Sequence, residues 1–314
     1  MRSYSLIAPG KINLYLEIIG DRPDGYHELA MVLQSISLAD KIHIRSIGIE
    51  TIVVRCDHPL VPQDVDNIAY RAASLMSKEF PEVFARYGGV EITINKYIPM
   101  AAGLAGGSTN AAAVLVGLDL MWELGLTHRE LQELGARLGS DVPFCIGGGT
   151  ALGTRRGEIL SPLPNLDHIY VVLAKYKNLS ISTPWAYKTY RQKFGHTYIS
   201  DTESQKSSRQ RVHSGPMVSA IVEHNHKEVG ELLHNDLEKV ALSEYPQLLK
   251  LREAFASENV LGTMMSGSGP TMFALTESQS QAEEVRAAVK EKMADPDLEF
   301  WIAQFNSSGI SIAH

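Results

Sequence analysis

The stretch from Val90 to Trp122 constrains the fold most. Val90, Ile92 and Ile94 alternate as strand residues do, and Ala111, Leu115, Leu118 and Trp122 recur at helical spacing. Between them lies Pro99-Met100-Ala101-Ala102-Gly103-Leu104-Ala105-Gly106-Gly107-Ser108-Thr109. The helix is apolar on most of its surface, which predicts a buried one, closed by Gly125 as its C-terminal cap. A glycine run entering a buried helix reads either as a structural turn or as an anion cradle, since backbone N–H groups and the helix N-terminus converge there. Gly103, Gly106 and Gly107 permit positive φ and close approach of a phosphate, and Ser108 and Thr109 offer hydroxyls for its oxygens or for Mg²⁺. The run is neither a Walker A loop nor the dinucleotide fingerprint. Composition alone leaves both readings open.

Upstream, Lys11, Asn13, Tyr15 and Glu17 alternate with Ile12, Leu14, Leu16 and Ile18, the pattern of a half-buried strand. Residues 20–25 form a turn by composition, and 28–38 and 41–54 read as further strands. A helix is expected from about Asn67, capped by Asp64 or Asp66, and a second after the capping box of Thr127 and Glu130, ended by Gly139. Composition changes at 147–149 and 161–164 suggest a boundary between domains 1–160 and 161–314. In the second part, strands are expected at 168–174 and on either side of 266–270. Helices are expected near 185–194 and 227–234, with another on the face of Leu248, Leu251 and Phe255. The polar stretch 195–216 reads as a surface insert.

With 314 residues, of which 44% are hydrophobic and 21% charged, the chain is long enough for two cores. A net charge of −7 with scattered lysines and arginines argues against nucleic acid or an acidic membrane as partner. Two distant cysteines, Cys56 and Cys145, and the lack of any long apolar run suggest a reducing, cytoplasmic setting.

Pro99, Gly103, Leu104 and Ser108, in the wider form Gly-Leu-Ala-Gly-Gly-Ser-Thr-Asn-Ala, resemble the phosphate loop of the GHMP kinases. Two further motifs of that family occur in order, Ala8-Pro9-Gly10-Lys11-Ile12-Asn13-Leu14 and Gly262-Thr263-Met264-Met265-Ser266-Gly267-Ser268-Gly269-Pro270. The resemblance implies an α+β protein with a ribosomal-S5-like N-terminal domain, a ferredoxin-like C-terminal domain, and substrate in the cleft between them. Asp24-Gly25-Tyr26-His27-Glu28 and Leu138-Gly139-Ser140-Asp141-Val142-Pro143-Phe144 are similar to the members that phosphorylate a cytidine-diphosphate-bearing alcohol.

Phosphoryl transfer to an alcohol needs a base for the hydroxyl and a cation for the moving charge. Asp141 and Lys11 are the candidates, although a loop aspartate also caps turns and a strand lysine is often a solvated edge residue. The resemblance further implies Asn13, Tyr26, His27, Tyr187 and Gly267 on the acceptor side. It places Asn67, Lys96 and Asn110 near ATP's adenine or sugar, and Ser108 beside ATP-bound Mg²⁺. The expected partner is a small cytidine-diphosphate substrate, and the expected assembly a monomer or weak dimer. The alternatives are another kinase of this superfamily, acting on homoserine, a sugar or a mevalonate-like alcohol, and a non-catalytic nucleotide-binding regulator. Met100, Ala101, Ala102 and Ala105 stand where members often have more glycine, a cost only where φ must be positive.

Overall fold

The protein is described by a computed structural model over residues 2–199, 201, 204 and 215–313, so most of the polar stretch at 195–216 lies outside the described residues. Among the described residues two sheets organise the chain. The first holds eight strands: β1 (Ser3–Asp21), β2 (His27–Ser46), β3 (Ile52–Cys56), β4 (Val90–Asn95), β5 (Thr150–Arg155), β6 (Ile159–Leu163), β8 (His234–Asn235) and β12 (Ser311–Ile312). The second holds β7 (Tyr170–Tyr176), β9 (Gly262–Met265), β10 (Met272–Thr276) and β11 (Leu298–Gln304), antiparallel in the order β11-β7-β10-β9. Counted along the chain that order is 4-1-3-2, the ferredoxin-like arrangement implied by the resemblance.

Helices α1 (Ile68–Glu79), α2 (Pro81–Tyr87), α3 (Gly106–Trp122), α4 (His128–Ala136) and α5 (Val142–Gly147) accompany the first sheet. Leu115 and Leu118 of α3 share a core with Leu6, Ile42 and Ile92 of the sheet and Ala72 and Met76 of α1. Helices α6 (Thr183–Phe194), α7 (Pro216–Val222), α8 (His226–Glu231), α9 (Glu238–Glu244), α10 (Pro246–Ala256) and α11 (Gln279–Met293) follow. Leu248, Leu251 and Phe255 of α10 are buried with Ala274 of β10, as their spacing predicts. No helix among the described residues is long and apolar enough to cross a membrane.

Several local expectations need revision. β1 is buried on both faces: Lys11 is 5% exposed and Asn13 0%, because loops from distant parts of the chain cover their side of the strand. The strands expected at 28–38 and 41–54 divide elsewhere. β2 runs unbroken through residues 38–41 because Asp40 is fully buried and bonded to the backbone N–H groups of Tyr97 and Ile98, and the break falls at 47–51, where Gly48 has φ +68°. Asn67, rather than Asp64 or Asp66, caps α1, its Oδ1 accepting from Ala69 N at 2.8 Å. The capping box at Thr127 forms as read. The helix expected over 227–234 is only α8, and His234–Asn235 leave it to pair with β1 as a short parallel strand.

Candidate active site

A cleft of about 680 Å³ runs between the two sheets. Its floor is β1. Lys11 Nζ donates to Asn13 Oδ1 at 2.8 Å and lies 3.6 Å from Asp141 Oδ2. Asp141 opens α5, yet its side chain makes no capping hydrogen bond; the carboxyl remains 30% exposed toward the cleft it lines. A lysine this buried requires a counter-charge, and Asp141 provides it. The pair therefore matches neither a solvated edge lysine nor a turn-capping aspartate.

The glycine run forms one wall and is tied down from two sides. Lys11 N donates to Leu104 O at 3.1 Å, and Ser266 Oγ donates to Gly103 O at 3.0 Å. Gly103 has φ +73°, but Gly106 and Gly107 do not need a positive φ, since both lie in the first turn of α3. Ala101 (φ +48°) and Ala105 (φ +57°) occupy the left-handed region instead, so these alanines carry real strain. At Gly106 the constraint is space: a Cβ there would come within 3.0 Å of Lys96 Nζ.

Lys96 reaches the same wall. Its Nζ pairs with buried Asp40, and Asn110 Nδ2 donates to that carboxylate at 2.7 Å. The β9–β10 turn closes the floor, with Gly267 (φ +55°) so near that an added Cβ would sit 3.2 Å from Asn13 Oδ1. Asn235 Nδ2 holds this turn by donating to Met265 O and Gly267 O, each at 2.8 Å.

At the far end, Tyr26 and His27 follow a turn locked by Arg22, whose guanidinium bonds Asp24 and whose Nη1 donates to Glu28 at 2.8 Å. Tyr26 is 55% exposed, with the Arg156 guanidinium 4.8 Å over its ring. The His27 ring lies 5.0 Å from that of Tyr187 on α6, and His27 Nε2 is buried without a hydrogen-bond partner. Burial, and then the Arg191 cation, push the His27 imidazole below its ordinary pKa, so the ring is neutral near pH 7. Burial and the Asp141 charge raise that of the Tyr187 phenol, which stays protonated.

Of the residues named from the sequence, Lys11, Asn13, Tyr26, His27, Lys96, residues 99–108, Asp141, Tyr187 and Gly267 all line this cleft. Asn67, Thr109 and Asn110 do not: Asn67 is spent on α1, Thr109 is buried behind the loop, and Asn110 serves Asp40. Sequence reasoning missed Asp40, Asn235, Arg156 and Arg191. No motif marks them, and each acquires its role only through a partner far along the chain.

This constellation, a glycine cradle at a buried helix facing a lysine–aspartate pair across an α+β cleft, defines a small-molecule kinase. Residues 67–149 match the GHMP kinases N terminal domain and residues 217–295 the GHMP kinases C terminal domain, and the chain belongs to the GHMP kinase family. It is 66% identical over 313 residues, covering 99% of each chain, to a protein of Nostoc punctiforme named 4-diphosphocytidyl-2-C-methyl-D-erythritol kinase. A crystal structure of 4-(cytidine 5'-diphospho)-2C-methyl-D-erythritol kinase shares its fold with a TM-score of 0.72 at 29% identity, covering 96% of this chain and 99% of that one. Homoserine kinase from Cytophaga hutchinsonii superposes with a TM-score of 0.75 at 18% identity, covering 100% and 98%, a likeness of fold alone.

Proposed function

We propose that the chain transfers the γ-phosphoryl group of ATP to the 2-hydroxyl of 4-diphosphocytidyl-2-C-methyl-D-erythritol, a step of isoprenoid precursor biosynthesis. The observation that carries this reading is the 3.6 Å Lys11–Asp141 pair on the floor of a cleft whose two ends differ in chemistry. One end offers a glycine cradle for phosphates, the other an aromatic wall with an uncommitted imidazole nitrogen for a pyrimidine.

In this reading the phosphates of ATP lie along residues 99–108 and the N-terminus of α3, whose backbone N–H groups meet the negative oxygens. The acceptor's cytosine lies between Tyr26 and Tyr187, with His27 hydrogen-bonded to its edge. Asp141 takes the proton of the attacking hydroxyl, and Lys11 stabilises charge on the phosphoryl group as it passes. Asn13 orients the Lys11 ammonium through their 2.8 Å hydrogen bond.

Ser108, which lines the cleft in the first turn of α3, would be the protein ligand of a magnesium ion held chiefly by the nucleotide phosphates. Bound there, it would supply charge neutralisation on the phosphate oxygens. The domain division proposed is 1–160, which carries the ATP loop together with Asn13, Tyr26 and His27, and 161–314, the substrate-side part, which adds Tyr187 and Gly267 to the acceptor wall.

The test is ADP release by purified protein given ATP, Mg²⁺ and, in turn, the cytidine-bearing alcohol, homoserine, mevalonate and galactose. Turnover confined to the first supports the reading; preferential turnover of a non-nucleotide alcohol overturns it.

A further inference from the structure

Asp21 ends β1 directly opposite His27 in the β1–β2 ladder. Its Oδ1 lies 3.8 Å from His27 Nε2, too far for a hydrogen bond. That oxygen is already taken: Arg191, one turn beyond Tyr187 on α6, donates to it from Nε at 2.8 Å and approaches it with Nη2 at 2.7 Å. Arg191 Nη2 also donates to Gly25 O at 3.4 Å, in the turn that presents Tyr26. One guanidinium thus joins the strand end, the turn and the helix that supply the acceptor wall.

The groups facing His27 are Asp21 from β1, Arg191 and the Tyr187 ring from α6, and the Tyr198 ring, edge-on at 5.9 Å, from the segment after it. Only Asp21 would draw a proton onto the imidazole. An imidazolium has two donors and no acceptor, and beside a free carboxylate it would turn Nε2 into an ion pair. A neutral ring keeps a nitrogen lone pair for a ligand's amino group.

We propose that Arg191 is a positioning residue for the acceptor's base: by taking up the Asp21 carboxylate it leaves the His27 imidazole neutral, with Nε2 unpaired and the ring lining the cleft. This deepens the functional reading above and rests on it for the identity of the ligand. The burial of Nε2 without a partner and the commitment of Asp21 elsewhere are the two observations that carry it.

The test uses the intact enzyme. An NMR titration of the His27 imidazole in the protein without substrate is compared for wild type, Arg191→Gln, Arg191→Lys and Asp21→Asn/Arg191→Gln. The expected result is an upward move of His27 titration by about half a pH unit or more in Arg191→Gln, little move in Arg191→Lys, and reversal in the double variant. In parallel, the KM for the cytidine-bearing alcohol should rise about 2- to 3-fold in Arg191→Gln near pH 5.5 and stay unchanged near pH 8, with the KM for ATP unchanged at both. Removing Asp21 as well should restore most of the loss. If the double variant binds the acceptor as poorly as Arg191→Gln, or if His27 titrates unchanged, Arg191 merely braces α6 and the inference is overturned. Wild-type enzyme that leaves the cytidine-bearing alcohol unphosphorylated sinks the functional reading instead, and the substrate-free titration still decides the electrostatic one.

Discussion

Replacing Gly103 by alanine should break the donor loop, for two additive reasons. Its φ of +73° lies in the left-handed region, where a Cβ costs roughly 1–2 kcal/mol. That Cβ would stand 2.2 Å from Ser266 O. Reaching even a 3.0 Å contact requires a shift of about 0.8 Å between the glycine loop and the β9–β10 turn. Such a shift puts at risk the Ser266 Oγ to Gly103 O hydrogen bond, worth about 1 kcal/mol. The sum, roughly 2–3 kcal/mol, is met by lost stability or by a displaced loop. Misplacement of a positioning element by about 1 Å lowers rates on the order of 10²-fold. Urea unfolding and steady-state kinetics with varied ATP measure both. Ala105→Gly is the control of opposite sign: relief of strain at φ +57° is partly offset by the added backbone freedom of glycine, so stability should change by less than about 1 kcal/mol. A Gly103→Ala enzyme with wild-type stability and wild-type kcat/KM for ATP would refute the reasoning.

Asp141→Asn should lower kcat about 10²- to 10⁴-fold, with the KM for ATP nearly unchanged, in a coupled ADP assay; undiminished turnover removes Asp141 as the base. Asp40→Ala strips a fully buried carboxylate from Lys96, Asn110 and two backbone N–H groups. It should cost about 3–5 kcal/mol in denaturant unfolding, and a loss below about 1 kcal/mol would contradict the network's role. Asp236 titrates at about 2 because hydrogen bonds from His234, Ile18 N–H and Lys239 outweigh its burial, the largest single effect, which acts upward. A lowered carboxylate stabilises the fold above its unfolded value of 3.8 and loses that contribution as pH falls toward 2, about 2 kcal/mol in all. Asp236→Asn should flatten this acid limb in pH-dependent unfolding.

Much of the site was legible because its parts are local. The strand, glycine run and helix of 90–122 announce themselves by period and composition, and Lys11, Asn13, Tyr26, His27 and Asp141 sit in short motifs. The loop's conformation was less so. Which residues take positive φ depends on where the run is tethered, and the tethers are Lys11 N and Ser266 Oγ, remote in sequence. Asn67 and Asn110 have a side-chain chemistry that suits a nucleotide as well as a helix cap or a buried acid; the bonds they make to Ala69 N and Asp40 were not legible in the sequence.

By itself the sequence determined a mixed α+β chain, the glycine loop at a buried helix, and the residue types able to move a phosphoryl group. Tertiary structure decided that Lys11 meets Asp141 although 129 intervening residues separate them, that Asn110 bonds the buried Asp40 carboxylate, and that Arg191 takes up Asp21 beside His27. The physical reason is range. Periodicity and turn chemistry act over a few residues, whereas a buried charge is tolerable only beside its partner, and that partner is wherever the folded chain brings it.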